Sequence, residues 1–237
     1  MIDTPTMKAP IIGALAPHGP EAAQVATLTH VMTIGGALIL LLVCALTAVA
    51  LFGPSAWRTA LATRATVRWG GFVFPIVTLA GLLGWSLWLM RGSERAAAAP
   101  AGLTISVVGE QWWWRLGYRD AQGKPFAEAN EIVVPVGVDV DLLLESADVI
   151  HSVWLPSLGG KLDMIPGRAN RLRLRADRPG VYRGQCAEYC GGSHARMGFE
   201  LIALAPDEFA AWRAAAHAPR PPRARDTARR RRDGLAA

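Results

Sequence analysis

The chain has 237 residues, of which 51% are apolar and 19% are charged, and its formal net charge is +6. This length is sufficient for one or two domains with hydrophobic cores of their own. The positive charge does not indicate a nucleic-acid-binding protein, because its excess lies in the last nineteen residues, which hold seven Arg and two Asp. The rest of the sequence is nearly neutral, and residues 218–237 are predicted to be a disordered basic tail.

The N-terminal third is dominated by apolar residues. Residues 1–26 form a first segment, in which IIGALA (11–16) follows Lys8 in the manner of a signal peptide, and the sequence does not decide whether this segment is removed. Residues 28–52 and 69–90 contain no charged side chain. Each stretch exceeds the roughly 20 residues that a helix needs to cross a bilayer, so residues 27–91 are predicted to form a transmembrane hairpin.

The alternative for these stretches is a pair of buried helices in a soluble domain, which is disfavoured because such helices usually carry a polar face. Residues 53–68, between the two stretches, contain three Arg and no acidic residue. Short loops rich in basic residues stay in the cytoplasm, which predicts that both termini lie on the outer side.

A second part of the chain begins after residues 92–102, whose sequence GSERAAAAPAG predicts a linker. Short apolar or alternating runs follow within residues 103–217 and predict strands at 103–109, 111–118, 131–137, 138–146, 171–176, 181–186 and 197–204. The strictly alternating run RLRLRA (171–176) is expected to bury one face only. This series predicts an antiparallel sandwich or barrel, closed by one helix in PDEFAAWRAAA (206–216).

Four side chains with metal-binding chemistry occur within residues 184–200, GQCAEYCGGSHARMGFE. Cys186, Cys190 and His194 recur every four residues, and Met197 follows three positions later. A disulfide is the alternative, because a domain outside the membrane lies in an oxidising compartment. Two thiolates, an imidazole and a thioether are the ligands expected for copper rather than for Zn, Mg or Ca, and the second thiolate calls for a second metal ion.

A pair of thiolate-bridged copper ions would require a second imidazole. Of the four other histidines, His18 and His30 lie in or before the first predicted membrane helix, and His217 lies in the tail. His151 is the one set between the predicted strands of the outer domain. The third cysteine, Cys44, falls in the middle of the first membrane helix and is interpreted as a small apolar residue.

Three segments carry a resemblance to a known family: QWWW (111–114), DVIHSVWLPSLGGKLDMIPGR (148–168) and GQCAEYCGGSHARM (184–197). The chain resembles subunit II of the haem-copper cytochrome c oxidases, which carries the dinuclear CuA centre. The resemblance extends over both predicted membrane helices and the outer domain to about Ala205. It implies two N-terminal transmembrane helices followed by an all-β cupredoxin-like sandwich at residues 103–217.

The resemblance also implies which residues bind the copper pair. These are the thiolates of Cys186 and Cys190, the imidazoles of His151 and His194, the thioether of Met197 and the backbone carbonyl of Glu188. By analogy the thiolates bridge the two ions, each imidazole binds one of them, and the thioether and the carbonyl are weak axial ligands. Sharing one electron over two coppers and two sulfurs changes each bond little, so little reorganisation accompanies electron transfer.

Further positions are implied around the copper ligands. The carboxylate of Glu188 matches one that reaches a Mg or Mn ion at the boundary with subunit I, and Asp163 lies near that ion. Trp112 matches the exposed aromatic residue through which cytochrome c delivers its electron. Strand alternation predicts that Trp113 faces the core and that Trp112 and Trp114 share the opposite face, without deciding which of these two is exposed.

The function implied by the resemblance is that of the electron-accepting subunit of a terminal oxidase, with cytochrome c as donor and oxygen reduced to water in subunit I. The implied partners are subunit I, the other oxidase subunits, cytochrome c and the bacterial inner membrane, with the copper domain and both termini periplasmic. Asp120, Glu128 and Asp148 are candidate acids for docking a basic cytochrome. Arg68 departs from the family, because many members carry a Glu there at the mouth of a proton channel.

Two alternatives to this function differ in the metal or in the partner. A quinol oxidase subunit II shares the fold but lacks the copper ligands, all of which this sequence contains. A membrane-tethered copper-binding or copper-delivery module would keep the ligands but have no oxidase partner. A second spanning helix is unnecessary for such a tether, which favours the oxidase subunit.

Overall fold

The computed structural model describes residue 11, residues 13–98 and residues 100–216. Its helices are α1 (Pro20–Phe52), α2 (Ser55–Leu61), α3 (Arg64–Thr66), a π-helical segment (Val67–Val73), α4 (Phe74–Ala98) and α5 (Pro206–Ala214). Its strands are β1 (Leu103–Glu110), β2 (Trp113–Arg119), β3 (Pro125–Ala129), β4 (Glu131–Pro135), β5 (Val140–Ser146), β6 (His151–Trp154), β7 (Lys161–Met164), β8 (Asn170–Leu174), β9 (Gly180–Cys186) and β10 (Gly198–Leu204). The predicted tail at 218–237 and His217 lie outside the described residues.

Two helical spans, Pro20–Phe52 and Arg64–Arg91, are long and apolar enough to cross a membrane. Their apolar side chains are exposed on the isolated chain, as expected for helices that contact lipid or other subunits. The first helix begins at Pro20, seven residues before the predicted start of the hairpin at residue 27. The second continues to Ala98 through most of the predicted linker at 92–102, because the alanines that follow the apolar stretch are strong helix formers.

The strands form two five-stranded sheets, ordered β3-β2-β1-β5-β8 and β4-β10-β9-β6-β7. Side chains from both sheets contribute to one apolar core, so the predicted all-β sandwich is confirmed. The prediction of a purely antiparallel arrangement is wrong, because β1 pairs with β5 in parallel and β4 pairs with β10 in parallel. In each parallel pair, the chain passes through the other sheet before it returns, so the second strand runs in the same direction as the first.

Strand β8 buries a charged residue that its alternating sequence placed on an exposed face. Arg173 is 7% exposed, and its guanidinium bonds Asp141 of β5, with Nε–Oδ1 at 2.8 Å and Nη2–Oδ2 at 2.9 Å. The ion pair allows Arg173 to be buried, because a buried charge requires a charged partner with matching hydrogen bonds. Strands β3, β6 and β7 were not predicted, since their four or five residues are too few to show a clear alternation.

Several of the described residues before α1 contact the β domain. Ile11 forms a bridge with Tyr182 on β9. The amide of His18 donates to the carbonyl of Ser157 at 2.8 Å, and the carbonyl of His18 accepts from the amide of Asp177 at 2.8 Å. These contacts attach the start of α1 to the connections that follow β6 and β8.

Candidate metal centre

The predicted ligands meet at one end of the sandwich because they lie at the ends of neighbouring strands. His151 is the first residue of β6 and Cys186 is the last residue of β9. These strands are paired, with Val153 opposite Cys186. The connection from β9 to β10 then folds back, so that the amide of Cys186 donates to the carbonyl of Met197 at 3.0 Å.

Two cysteines and two histidines form a compact cluster, in which the ligand atoms of His151, Cys186 and Cys190 all lie within 4.8 Å of one another. The Nδ1 atom of His151 is 3.9 Å from the Sγ atom of Cys186, and the two sulfurs are 3.8 Å apart. The Sγ atom of Cys190 is 3.5 Å from the Nδ1 atom of His194. Both cysteines are free thiols, so this structure does not contain the disulfide that was the alternative to a metal site.

Two further donor atoms approach the sulfurs of this cluster. The Sδ atom of Met197 is 3.6 Å from the Sγ atom of Cys190, and the carbonyl oxygen of Glu188 is 3.2 Å from the Sγ atom of Cys186. The structure therefore brings together all six positions that the resemblance assigned to metal binding. The combination of thiol, imidazole and thioether groups fits copper and does not fit the hard cations Mg and Ca.

The centre is shielded from water. His151 is completely buried, and the two cysteines and Met197 are 6%, 2% and 1% exposed. Burial raises the pKa of the Cys190 thiol to about 11, and the neighbouring Cys186 adds to this effect. Because a metal binds the thiolate, binding at neutral pH must release the proton of Cys190.

The surroundings of His151 include two residues that the sequence did not identify as part of the site. The Nε2 atom of His151 lies 2.8 Å from Oδ1 of Asp148. Burial raises the pKa of Asp148, but hydrogen bonds from His151, Gln111 and Val149 outweigh this effect and leave the pKa below its ordinary value. On the other side of the ring, a Cβ atom at Gly109 would be 2.8 Å from Cδ2 of His151, so β1 can pass this close only with glycine.

The tryptophan cluster is arranged differently from the prediction. Trp112 is 41% exposed, and its Nε1 atom donates to the carbonyl of Cys190 at 3.2 Å. Trp114 is 1% exposed and packs against Phe199 with 5.1 Å between ring centroids. The prediction that Trp113 faces the core is wrong, since β2 begins at Trp113 and its even-numbered residues face inward.

The acidic residues predicted near a second cation share one lysine. The Nζ atom of Lys161 lies 3.4 Å from Oε2 of Glu188 and 3.5 Å from Oδ1 of Asp163. Asp120, a candidate docking acid, is only 7% exposed and accepts the amides of Gln122 and Lys124 in a turn. It is therefore poorly placed to attract a protein partner.

Comparison with known proteins relates this architecture to one family. A family model described as the periplasmic domain of cytochrome c oxidase subunit II matches residues 124–203. The protein named cytochrome c oxidase subunit 2 in Alkalihalophilus pseudofirmus is 48% identical over 108 residues, which cover 46% of this chain and 31% of that protein. Its counterpart in Oenothera berteroana is 31% identical over 182 residues, which cover 67% of this chain and 69% of the relative.

A probable cytochrome c oxidase subunit 2 of Rickettsia bellii is 35% identical over 59% of this chain and 58% of its own length. The crystal structure of the periplasmic domain of cytochrome oxidase subunit II from Bradyrhizobium japonicum matches 50% of this chain and 95% of that domain, with 37% identity and a TM-score of 0.46. The chain thus spans from about a third to about two thirds of the length of these curated relatives. From the extent of the Oenothera match, we conclude that the chain belongs to the cytochrome c oxidase subunit II family.

Proposed function

We propose that this chain is the electron-accepting subunit of a terminal haem-copper oxidase, and that it binds a dinuclear CuA centre. It takes electrons from cytochrome c and passes them to the haem of subunit I, where oxygen is reduced to water. The observation that carries this proposal is the cluster of His151, Cys186, Cys190 and His194, of which the first three are buried, with an exposed tryptophan beside it. A copper pair bound there would supply a one-electron acceptor whose charge is spread over two metals and two sulfurs.

The protein residues hold the centre in a geometry that suits both oxidation states. Cys186 and Cys190 provide two thiolates from the two ends of one short loop, with the Nδ1 atom of His151 next to the first sulfur and that of His194 next to the second. The thioether of Met197 and the carbonyl of Glu188 are the two weaker ligands in this proposal. Because these donors are mostly buried and attached to paired strands, they move little and keep water out, which lowers the reorganisation required for electron transfer.

Trp112 is the proposed point at which the electron arrives. Its ring is 41% exposed at the copper end of the domain, and its Nε1 atom bonds the carbonyl of Cys190. Val149, Ile150 and Tyr189 are also exposed apolar residues in the segments that carry the ligands. A donor that covers the tryptophan would therefore bury apolar surface within a short distance of the thiolates.

Glu188 has a second proposed role at the boundary with subunit I. Its carboxylate and that of Asp163 both contact Lys161, and this pair of acids beside the loop of the two cysteines supports the proposal. We propose that a Mg or Mn ion binds there when subunit I supplies further ligands. In the assembled oxidase, Glu188→Gln is expected to weaken Mn binding and leave the copper content unchanged, because the backbone carbonyl remains.

The proposed location is the bacterial inner membrane, with the β domain and both termini on the periplasmic side. The hydrogen bonds of His18 with Ser157 and Asp177 support this topology, because they hold the start of α1 against the β domain on one side of the bilayer. The basic residues between the two spans support a cytoplasmic loop. Labelling of single cysteines introduced into this loop and into the β domain of intact spheroplasts would test the orientation.

Co-purification separates the oxidase subunit from a copper-delivery module. A tagged chain isolated in mild detergent from its native membrane is expected to carry a haem protein with it in a fixed ratio. Recovery of the copper-loaded chain alone, under conditions that keep an authentic oxidase intact, would favour the delivery module. Cys186→Ser provides the matched sample, because it removes a proposed bridging thiolate without altering the membrane helices.

A further inference from the structure

Asp148 occupies a central position next to the metal centre that its role as a surface acid does not explain. It lies in the connection between β5 and β6, three residues before His151. Its Oδ1 atom is 2.8 Å from Nε2 of His151 and accepts the amide of Val149 at 2.6 Å. Its Oδ2 atom accepts the amide of Gln111 at 2.7 Å. Both carboxylate oxygens are therefore used within the protein.

The contact with His151 determines which ring nitrogen is available to a metal. An ionised carboxylate accepts but does not donate, so Nε2 of His151 must carry the proton in this contact. The Nδ1 atom is then unprotonated in the neutral ring and faces the Sγ atom of Cys186 at 3.9 Å. A carboxylate in this position fixes the tautomer and the orientation of the imidazole and increases its basicity toward the metal.

The other oxygen of Asp148 connects this ligand to the turn between β1 and β2. The amide of Gln111 donates to Asp148, while the side-chain nitrogen of the same residue donates to the carbonyl of Cys190 at 2.8 Å. Trp112 donates to that carbonyl from the next position. The turn that presents Trp112 is therefore linked to His151 through Asp148. The same turn is linked directly to Cys190 by the side chains of Gln111 and Trp112.

The second histidine has different surroundings. Among the residues that the structure describes, no carboxylate forms a hydrogen bond with His194, whose ring is tilted against Tyr189 at 5.7 Å between centroids. His194 is also partly exposed, whereas His151 is fully buried. The two imidazoles of the site thus differ both in burial and in having a carboxylate partner.

We propose that Asp148 is a positioning residue for the metal centre, which holds His151 in its binding orientation and ties it to the turn that carries Trp112. The inference rests on the proposed copper function and extends it, because it assigns Asp148 an effect on the metal that persists when no cytochrome is present. A residue that only docks cytochrome c would act through its charge. A positioning residue acts through the placement of its two oxygens.

Three variants of the full-length, copper-loaded chain in detergent separate these roles. Asp148→Asn removes the charge and keeps the shape, and Asp148→Glu keeps the charge and displaces both oxygens by one methylene. Glu110→Gln is the matched control for charge, because Glu110 bonds Arg115 at 2.6 Å and is not hydrogen-bonded to any of the proposed ligands. For each protein, copper affinity is measured by competition with a chelator, together with the reduction potential and the electron paramagnetic resonance spectrum.

We expect Asp148→Asn to lower the copper affinity by about 10- to 100-fold, as is typical when the partner of a metal-binding histidine is removed. The reduction potential should rise, because a neutral amide stabilises the oxidised, more positive centre less than a carboxylate does. Asp148→Glu should also alter the spectrum although its charge is unchanged. Glu110→Gln should match the wild type in all three measurements.

Wild-type affinity, potential and spectrum in both Asp148 variants would overturn the positioning role while leaving the copper function intact. A wild-type chain that shows no shared two-copper signal would instead reject the proposed function on which the inference rests. Thermal unfolding of the metal-free proteins controls for loss of the fold. If Asp148→Asn does not fold, Asp148→Glu carries the test, because its expected change of spectrum distinguishes geometry from charge.

Discussion

Substitution of Gly109 by alanine tests how closely β1 packs against the buried histidine. An alanine Cβ at this position would lie 2.8 Å from Cδ2 and 3.0 Å from Cγ of His151. Carbon atoms in contact are normally about 3.5–4.0 Å apart, so the ring or the strand must move by roughly half an ångström or more. The strand is fixed by pairing on both sides, with Trp114 and Ser146 as partners of Gly109. The ring therefore takes up most of the displacement.

We expect Gly109→Ala to reduce the free energy of unfolding of the metal-free chain by about 1–3 kcal/mol, which is typical of overpacking in a core. Copper affinity should also fall, since a displacement of about 0.5 Å is enough to disturb a metal site. Denaturant unfolding and chelator competition measure the two effects. Gly160→Ala is the control, because a Cβ atom there would have no neighbour within 4 Å. Equal stability and equal copper affinity in the two variants would refute this reasoning.

Three other substitutions examine separate parts of the account. Met197→Leu, at a position 1% exposed, should keep both coppers and shift their potential, because the swap conserves volume and removes a weak ligand; loss of all copper would show that the thioether is essential. Trp112→Ala should leave the copper spectrum intact, destabilise the chain by less than the roughly 3–5 kcal/mol of a buried tryptophan, and greatly slow reduction by cytochrome c. A normal rate would reject its role. Arg173→Met should lower the free energy of unfolding, measured with denaturant, by about 3 kcal/mol, because buried Asp141 keeps only its longer contact with Arg171. An unchanged free energy of unfolding would mean that water compensates the charge of Asp141.

The proposed ligands on one loop could be predicted from the sequence to lie close together because their geometry is local. Cys186, Cys190, His194 and Met197 follow each other within twelve residues, and such a short loop that returns to a neighbouring strand keeps them close. His151 was found by excluding the other histidines from the outer domain. In the structure it begins a four-residue strand paired with β9, which the sequence pattern did not reveal.

The contacts around the ligands could not be predicted because they join residues far apart in the chain. Gly109 and Asp148 both contact His151. Gly109 lies outside the segments that carry the resemblance, and Asp148, although it begins one of them, was interpreted only as an acid for docking a cytochrome. For the tryptophans, alternation correctly separates Trp113 from Trp112 and Trp114, but it does not determine which side of the strand is buried. In the structure β2 begins at Trp113, and the side that carries Trp114 is buried. Similarly, Arg173 became a core residue only through Asp141, which lies on another strand.

Electron paramagnetic resonance of the copper-loaded, full-length chain, combined with the copper-to-protein ratio, tests the central claim most directly. The account predicts two coppers per chain that share one unpaired electron, so that the hyperfine pattern shows equal coupling to two copper nuclei. Replacing Cys186 or Cys190 by serine should abolish this pattern, because the bridge requires both thiolates. A single copper per chain, or two coppers with independent unpaired electrons, would contradict a thiolate-bridged centre built from these residues.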